Sequence, residues 1–177
     1  MTAQRFRMTA SGLAKLLNRL GACNEAFVWA EGKSLKKAWE TCERGDWMLW
    51  LCGRMEGKQG WPMRPQIVFA ACDCAELALP IFEKKYPEEK RPRKAIETAR
   101  AWAKGEATIQ EVRDAASAAS AAYAASAAYA YAAYAASAAY AASAYAAACA
   151  AACAAAASKK TLGTCADICR KRLEPPL

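Results

Sequence analysis

A stretch without a single charged side chain, residues 115–157, constrains the fold of this chain more than any other part of its sequence. Thirty of its 43 residues are alanine, and the others are serine, tyrosine or cysteine. Alanine has the highest helix propensity of all residues, and neither glycine nor proline interrupts the stretch. We therefore predict that it forms one long helix or a helical hairpin.

One side of this predicted helix consists of alanine alone. Serine and tyrosine follow a pattern that repeats after 14 residues, so they share one arc of a helix with about 3.5 residues per turn. The alanines on the other side alternate by three and four, as coiled-coil seam positions do: Ala118, Ala121, Ala125, Ala128, Ala132, Ala135, Ala139 and Ala142. Because only methyl groups intervene, a second helix can approach closely. We predict a helix-packing seam, either within the chain or between two copies in a homo-oligomer.

A membrane span is the main alternative for a long uncharged segment. Alanine is only marginally apolar, however, and the six tyrosines lie through the middle of the segment, whereas an interfacial aromatic belt lies at its ends. We therefore expect no membrane partner. The flat alanine face also resembles helical ice-binding proteins, but the segment contains no threonine.

Capping residues and helix breakers divide the rest of the chain into shorter helices, and no stretch alternates as a strand does. The predicted helices cover residues 11–20, 24–31, 34–44, 46–52, 66–85, 92–104 and 162–173, with a loop over residues 53–65. Pro80 breaks the fifth of these unless the helix absorbs it as a kink. Ser34 and Asp46 are expected N-caps, and Thr108 and Glu111 have capping-box spacing before the Ala-rich stretch.

These elements predict an all-α fold, a helical bundle organised around the Ala-rich helix or helical hairpin. A length of 177 residues suits a single domain, which we expect to span residues 1–177. Residues 1–105 would form a helical core with a basic N-terminal part, residues 106–158 the Ala-rich helix, and residues 159–177 a basic C-terminal helix. Nearly all the large apolar side chains precede Trp102, so the core is expected there.

The nine cysteines are accompanied by no histidine, and none of them form the C-x-x-C pairs typical of a structural zinc site. No apolar segment follows the polar, basic residues 1–7, so we expect no secretory leader. We predict buried, reduced cysteines, a cytoplasmic location, and neither a metal nor a cofactor.

The net charge of +8 is concentrated at the two ends of the chain. Residues 1–64 carry 11 basic and 6 acidic side chains, residues 65–114 carry 9 of each, and residues 158–177 carry 5 and 2. Basic ends favour an acidic partner, although ordinary solubilising charge gives the same pattern. The densest basic cluster, residues 84–94 near Trp102, would suit nucleic acid, but interleaved glutamates make nucleic-acid binding the less favoured alternative.

Candidate catalytic residues are scarce, because no histidine is present to titrate near neutral pH. Asp73 and Glu76 lie three residues apart on an otherwise apolar helix. We expect them to form a structural ion pair rather than an acid–base site, with Arg100 or Arg44 as the partner.

Most of the six tryptophans are expected in the core. Trp61 is the exception, because it lies in a loop rich in glycine and proline beside Arg64. Exposed tryptophan next to arginine is the composition of an interaction hot spot, so we predict that this pair contacts a partner.

Three sequence motifs occur in order ahead of the Ala-rich stretch. They read ERGDWMLWL at residues 43–51, AACDCAELALP at residues 70–80 and RPRKAIETARAW at residues 91–102. In this order, and followed by an Ala/Tyr-rich tract, they resemble the immunity-protein-five-like family. The resemblance covers most of the chain from about Lys33 to the C-terminus. Members are immunity proteins of polymorphic-toxin systems, and similar proteins occur in bacterial and phage genomes.

The resemblance implies a non-enzymatic protein that neutralises a toxin, or in a phage a component of host defence, by stoichiometric binding. Sequestration of a small anionic ligand, such as a signalling nucleotide, is the alternative, with an arginine and an aromatic ring between helices. The candidate binding residues are Arg44, Asp46, Trp47, Trp61, Arg64, Asp73, Glu76, Arg91, Arg93, Arg100 and Trp102.

Overall fold

A computed structural model describes residues 10–121 and 159–177, and in these two ranges it has eight helices and no strand. The helices are α1 (Ala10–Leu20), α2 (Asn24–Ala30), α3 (Leu35–Thr41), α4 (Gly45–Met55), α5 (Arg64–Lys85), α6 (Arg91–Lys104), α7 (Ile109–Ala121) and α8 (Lys159–Arg172). The predicted all-α fold class is confirmed. Its organisation around a long Ala-rich helix remains a prediction, because residues 122–158 lie outside the described ranges.

The core is built around α5, which packs against α4, α6 and α8. Val68, Ala71, Cys72 and Ala75 on this helix are almost completely buried. The helix runs through Pro80 without a break. Proline deprives the carbonyl of residue 76 of its helical hydrogen bond, but both positions are exposed, so water can replace the missing donor.

The stretch Arg64–Lys84 of α5 is long and apolar enough to cross a membrane by length and composition. In the folded chain 59% of its most apolar window is buried. Contacts with α4, α6 and α8 therefore account for its apolar side chains, as they do in the core helix of a soluble protein.

Two predicted helix boundaries around residue 45 are wrong. The third helix ends at Thr41 and does not continue to residue 44, because the guanidinium of Arg170 on α8 donates to the carbonyls of Trp39, at 3.1 Å, and Cys42. The fourth helix begins at Gly45, so Asp46 lies inside its first turn and is not the N-cap.

The predicted loop over residues 53–65 is shorter in the structure. The fourth helix continues to Met55, and α5 already begins at Arg64, with Pro65 in its first turn. The Gln66 side chain accepts a hydrogen bond from the Met63 amide at 2.7 Å, which completes the helix start.

The two predicted side-chain caps elsewhere are confirmed. The Ser34 hydroxyl accepts from the Lys37 amide at 3.2 Å. At the start of α7 the Thr108 hydroxyl accepts from the Glu111 amide at 3.2 Å, while the Glu111 carboxylate accepts from the Thr108 amide at 2.7 Å. Both ends of this capping box were readable from sequence because its partners are only three residues apart.

In the described residues the side of α7 buried within the chain does not include the seam position Ala118, so a seam within the chain is not supported there, and a seam between two copies stays a prediction. Val112 and Ala119 are completely buried on α7, which packs against α6, whereas the seam position Ala118 is exposed. Val112 is the one large apolar side chain in the described part of α7 that is completely buried. Ala121 closes the described part of α7, and the remaining seam positions, from Ala125 to Ala142, lie outside the described residues.

Burial of the cysteines follows the prediction with one exception. Seven lie in the described ranges, all free, and six of them are buried: Cys42, Cys52, Cys72, Cys74, Cys165 and Cys169. Cys23, between α1 and α2, is exposed. In the described ranges no three His, Cys, Asp or Glu side chains are placed to hold a metal ion.

The start of α4 lies directly against α8. A Cβ atom built on Gly45 would lie 2.6 Å from the backbone nitrogen of Ala166, well inside van der Waals contact, and would also overlap Cys165. The thiol of Cys169 donates to the Gly45 carbonyl at 3.7 Å. Only glycine permits this approach between the two helices.

We expect Gly45→Ala to lower the free energy of unfolding by about 1–3 kcal/mol, because the added methyl group must push α4 away from α8. Gly53→Ala is the matched control on the same helix. Its Cβ would meet nothing within 4 Å, so alanine should raise stability by about 0.5–1 kcal/mol through helix propensity. Urea denaturation followed by circular dichroism measures both. A Gly45→Ala protein as stable as the parent would contradict the close contact.

Candidate functional site

Helices α1 to α4 surround a cavity of about 620 Å³. Its volume is within the range of roughly 300–1,000 Å³ typical of ligand pockets. The wall is mainly apolar, with aliphatic side chains from all four helices: Leu13, Leu17, Ala26, Ala30, Leu35, Ala38, Met48 and Leu51. We refer to this site as the α1–α4 cavity.

Four of the six tryptophans line the α1–α4 cavity: Trp29, Trp39, Trp47 and Trp50. The rings of Trp29 and Trp47 pack with centroids 5.8 Å apart and planes at 58°. Trp39 is buried, whereas the other three keep part of their surface exposed. Aromatic rings with partly open faces can add contact area for a partner at little cost in conformational entropy.

Arg44 supplies the positive charge of the cavity wall. Its Nε and one terminal nitrogen each lie 2.9 Å from an Asp46 carboxylate oxygen, and the other terminal nitrogen lies 3.3 Å from Glu25. The guanidinium carbon lies 4.4 Å from the ring centroid of Trp47, within cation–π range. The hydrogen bond to Asp46 raises the pKa of Arg44 above its ordinary value.

Asp46 explains why this arrangement is fixed. It is the one buried charged side chain among the described residues, with 8% of its surface exposed. A buried carboxylate without a partner is strongly unfavourable. The bidentate pair of hydrogen bonds to Asp46 therefore holds Arg44 in place. Sequence analysis singled out Arg44, Asp46 and Trp47, and the structure brings all three together.

The other candidate arginines do not join this site. Three of them lie on α6, and each is engaged with carboxylates. Arg93 binds Glu83 through two contacts of 2.6 Å, which lowers the pKa of Glu83. Arg91 also makes two contacts with one carboxylate, that of Glu89, and lowers the pKa of that carboxyl to about 2. Of the arginines predicted for an anion pocket beside an aromatic ring, Arg44 is the one that lines the α1–α4 cavity, next to Trp47.

Asp73 joins three helices. Arg100 on α6 approaches Asp73 at 2.5 Å and Glu76 at 2.7 Å, and Arg172 on α8 binds the second oxygen of Asp73. The predicted pairing with Arg100 is confirmed, whereas Arg44 pairs elsewhere. Sequence reasoning missed Arg172, because no local pattern indicates that α8 returns to α5.

Trp61 and Arg64 do not form an exposed hot spot, and this prediction is wrong. Only 7% of Trp61 is exposed. Pro176 lies against the neighbouring Gly60, so the C-terminal segment covers this loop. Arg64 binds Glu56 with contacts of 2.9 and 3.1 Å. Pro176 is more than a hundred positions away from this loop in the sequence, so local sequence pattern does not predict their contact. Trp102, also a candidate, is half-buried on α6.

We expect Asp73→Asn to lower the free energy of unfolding by about 2 kcal/mol, because it weakens the links of α5 to both α6 and α8. Glu76→Gln is the matched control. Its side chain is 48% exposed against 18% for Asp73, so its loss should cost less than about 0.5 kcal/mol. Chemical denaturation of both variants measures the difference. Equal destabilisation would contradict a central role for Asp73.

Among the described cysteines, we expect iodoacetamide to modify Cys23 rapidly and the buried thiols slowly. Burial raises the pKa of Cys52 to about 12, so only about one thiol in ten thousand is ionised at pH 8. Cys72 behaves alike, with a pKa of about 12. Peptide mapping by mass spectrometry after timed alkylation gives the rates. Modification of Cys52 as fast as Cys23 in the native protein would contradict the packing.

The family model described as "Imm-5 like putative immunity protein" matches residues 64–172, more than half of the chain. The matched range runs from the start of α5 to the end of α8 and contains the Asp73 junction. None of the residues that line the α1–α4 cavity lies inside it. No curated protein and no solved structure matches the chain. By the match over α5 to α8, this chain belongs to the Imm-5-like family of immunity proteins.

Proposed function

We propose that this chain is a cytoplasmic, non-enzymatic immunity protein that neutralises a toxin or a component of host defence by stoichiometric binding. The α1–α4 cavity and its rim are the contact surface in this proposal. The observation that carries it is the cluster of Trp29, Arg44 and Trp47 at the cavity, attached to a scaffold of the immunity-protein family.

The composition of the cluster supports a protein contact. Tryptophan and arginine are the residues most enriched at interface hot spots, where a few side chains supply most of the binding energy. Arg44 is held by Asp46, so its position does not have to be ordered on binding. A preorganised contact loses less conformational entropy, and this favours tight association.

The position of the cavity relative to the family match also supports the proposal. The shared segment, residues 64–172, supplies α5 to α8, and the cavity is built entirely from the preceding helices. We infer that the matched helices act as the scaffold and that α1 to α4 supply the contact with the partner.

Two features of the described residues favour binding over catalysis. The buried thiols are poor nucleophiles, since burial raises the pKa of Cys42 to about 11 and that of Cys72 to about 12. The carboxylates Asp46 and Asp73 are both bound to arginine, so each is engaged in an ion pair within the chain.

We expect Ala22→Phe to weaken partner binding at least tenfold, because Ala22 lines the cavity and a phenyl ring there would occupy it. Ala103→Phe is the matched control. Both alanines are half-buried and pack against the core, but Ala103 lies on α6, away from the cavity. The partner is captured from the native cells with the tagged chain and identified by mass spectrometry. Affinities are then measured with purified proteins.

Neutralisation is tested by growth. Expression of the captured partner alone should arrest growth, co-expression of the chain should restore it, and Ala22→Phe should fail to restore it where Ala103→Phe succeeds. Equal rescue by both variants would place the contact elsewhere. Turnover of a substrate by the purified chain, lost on a single substitution, would refute the non-enzymatic role.

Sequestration of a small ligand is a second candidate function, favoured by the volume of the cavity. An anionic ligand such as a signalling nucleotide would have to compete with Asp46 and Glu25 for Arg44. Calorimetry with a panel of nucleotides decides between the candidates, since saturable binding of one nucleotide would favour sequestration. Nucleic-acid binding is tested separately by its strong dependence on salt.

A further inference from the structure

We propose that the α1–α4 cavity receives an apolar side chain of the protein partner that lies next to a lysine or arginine, whose positive charge binds Glu25 at the cavity rim. This inference rests on the proposed function and adds the chemistry of the group that the site recognises.

The charges in the cavity wall favour a cation. Among the residues that the structure describes, three charged side chains line it, namely Glu25, Arg44 and Asp46. Both carboxylate oxygens of Asp46 are bound by Arg44, so this pair is internally neutralised. Glu25 shares one of its oxygens with Arg44, at 3.3 Å, and its side chain is 71% exposed. Its second oxygen has no hydrogen bond from the described residues, and it is therefore the available acceptor at the rim.

Lys33 is a second cation beside the aromatic wall, in addition to Arg44, and it follows α2 at the end opposite Glu25. Its ammonium group donates to the Trp29 carbonyl and lies 4.4 Å from the Trp29 ring centroid. Glu25 is in the first turn of α2, and Lys33 follows the C-terminal end. The ammonium is bound at Trp29, about one helical turn along α2 from Glu25, and the described residues show no ion pair between Lys33 and Glu25. Lys33 therefore leaves the second oxygen of Glu25 available.

The interior of the cavity favours an uncharged, apolar group. Leu13, Leu17 and Met48 supply aliphatic surface, and the tryptophans supply aromatic surface. A carboxylate or phosphate inserted there would lie close to Asp46, and the one arginine in the described lining, Arg44, is already bound to that carboxylate. An apolar side chain with a neighbouring cation satisfies both the interior and the rim, whereas an apolar side chain with a neighbouring anion meets repulsion from Glu25.

Three capped tripeptides test the proposal, with sequences acetyl-Leu-Phe-Lys-amide, acetyl-Leu-Phe-Gln-amide and acetyl-Leu-Phe-Glu-amide. They share the apolar part and differ only in charge. None contains tryptophan, so the fluorescence of the four cavity tryptophans reports binding. At 0.15 M salt we expect the lysine peptide to bind about two- to fivefold more tightly than the glutamine peptide, and the glutamate peptide to bind most weakly. The lysine peptide should also slow alkylation of Cys23, which lines the cavity.

Matched variants assign the effect to its residues. Glu25→Gln should make the lysine and glutamine peptides bind equally, whereas Glu31→Gln, a change at the end of α2 outside the cavity lining, should leave their ratio unchanged. Ala22→Phe should reduce binding of all three peptides, and Ala103→Phe should not. These variants are first checked for parental circular dichroism spectra.

Several results would overturn the proposal. These are tightest binding of the glutamate peptide, a lysine preference that survives Glu25→Gln, and no saturable change with any peptide. None of these results refutes the proposed function, provided that the captured partner still arrests growth and co-expression of the chain still restores growth. If the chain fails to restore growth but the three peptides bind in the expected order of affinity, neutralisation is refuted and the proposed recognition of an apolar, cationic group is retained.

Discussion

Close packing of Gly45 against α8 joins the helices around the cavity to the C-terminal part of the chain. At this point the start of α4 lies against the backbone of Cys165 and Ala166, and only a residue without a Cβ atom fits. Arg170 of the same α8 binds the carbonyls that end α3. One helix from the C-terminal part of the chain thus fixes the position of two helices that form the cavity.

The same helix connects the cavity with the family scaffold. Arg172 at its end binds Asp73 on α5, which in turn binds Arg100 on α6. A movement of α8 would therefore alter both the Asp73 junction and the start of α4. Because the Arg44–Asp46 pair lies next to Gly45, this connection also holds the charged part of the site in place.

A single buried carboxylate determines how the site can be used. Asp46 requires a positive partner because it is cut off from water, and Arg44 meets this requirement with two parallel hydrogen bonds. The arginine that a sequence reading assigns to an external anion is therefore committed within the chain. Arg44 keeps its contact with the Trp47 ring. The charged group that remains available to a partner is Glu25, which was not among the residues predicted from the sequence.

The fold class, the capping box at Thr108, the Ser34 cap and the family were all predictable from residue order, because they depend on composition and on partners a few positions apart. The sequence also identified Arg44, Asp46 and Trp47. Three features appear first in the folded chain: Trp61 is buried, Arg172 binds Asp73, and Val112 and Ala119 are the completely buried positions of α7. These features depend on side chains brought together across many residues, and such pairings are set by packing of the whole chain rather than by local pattern.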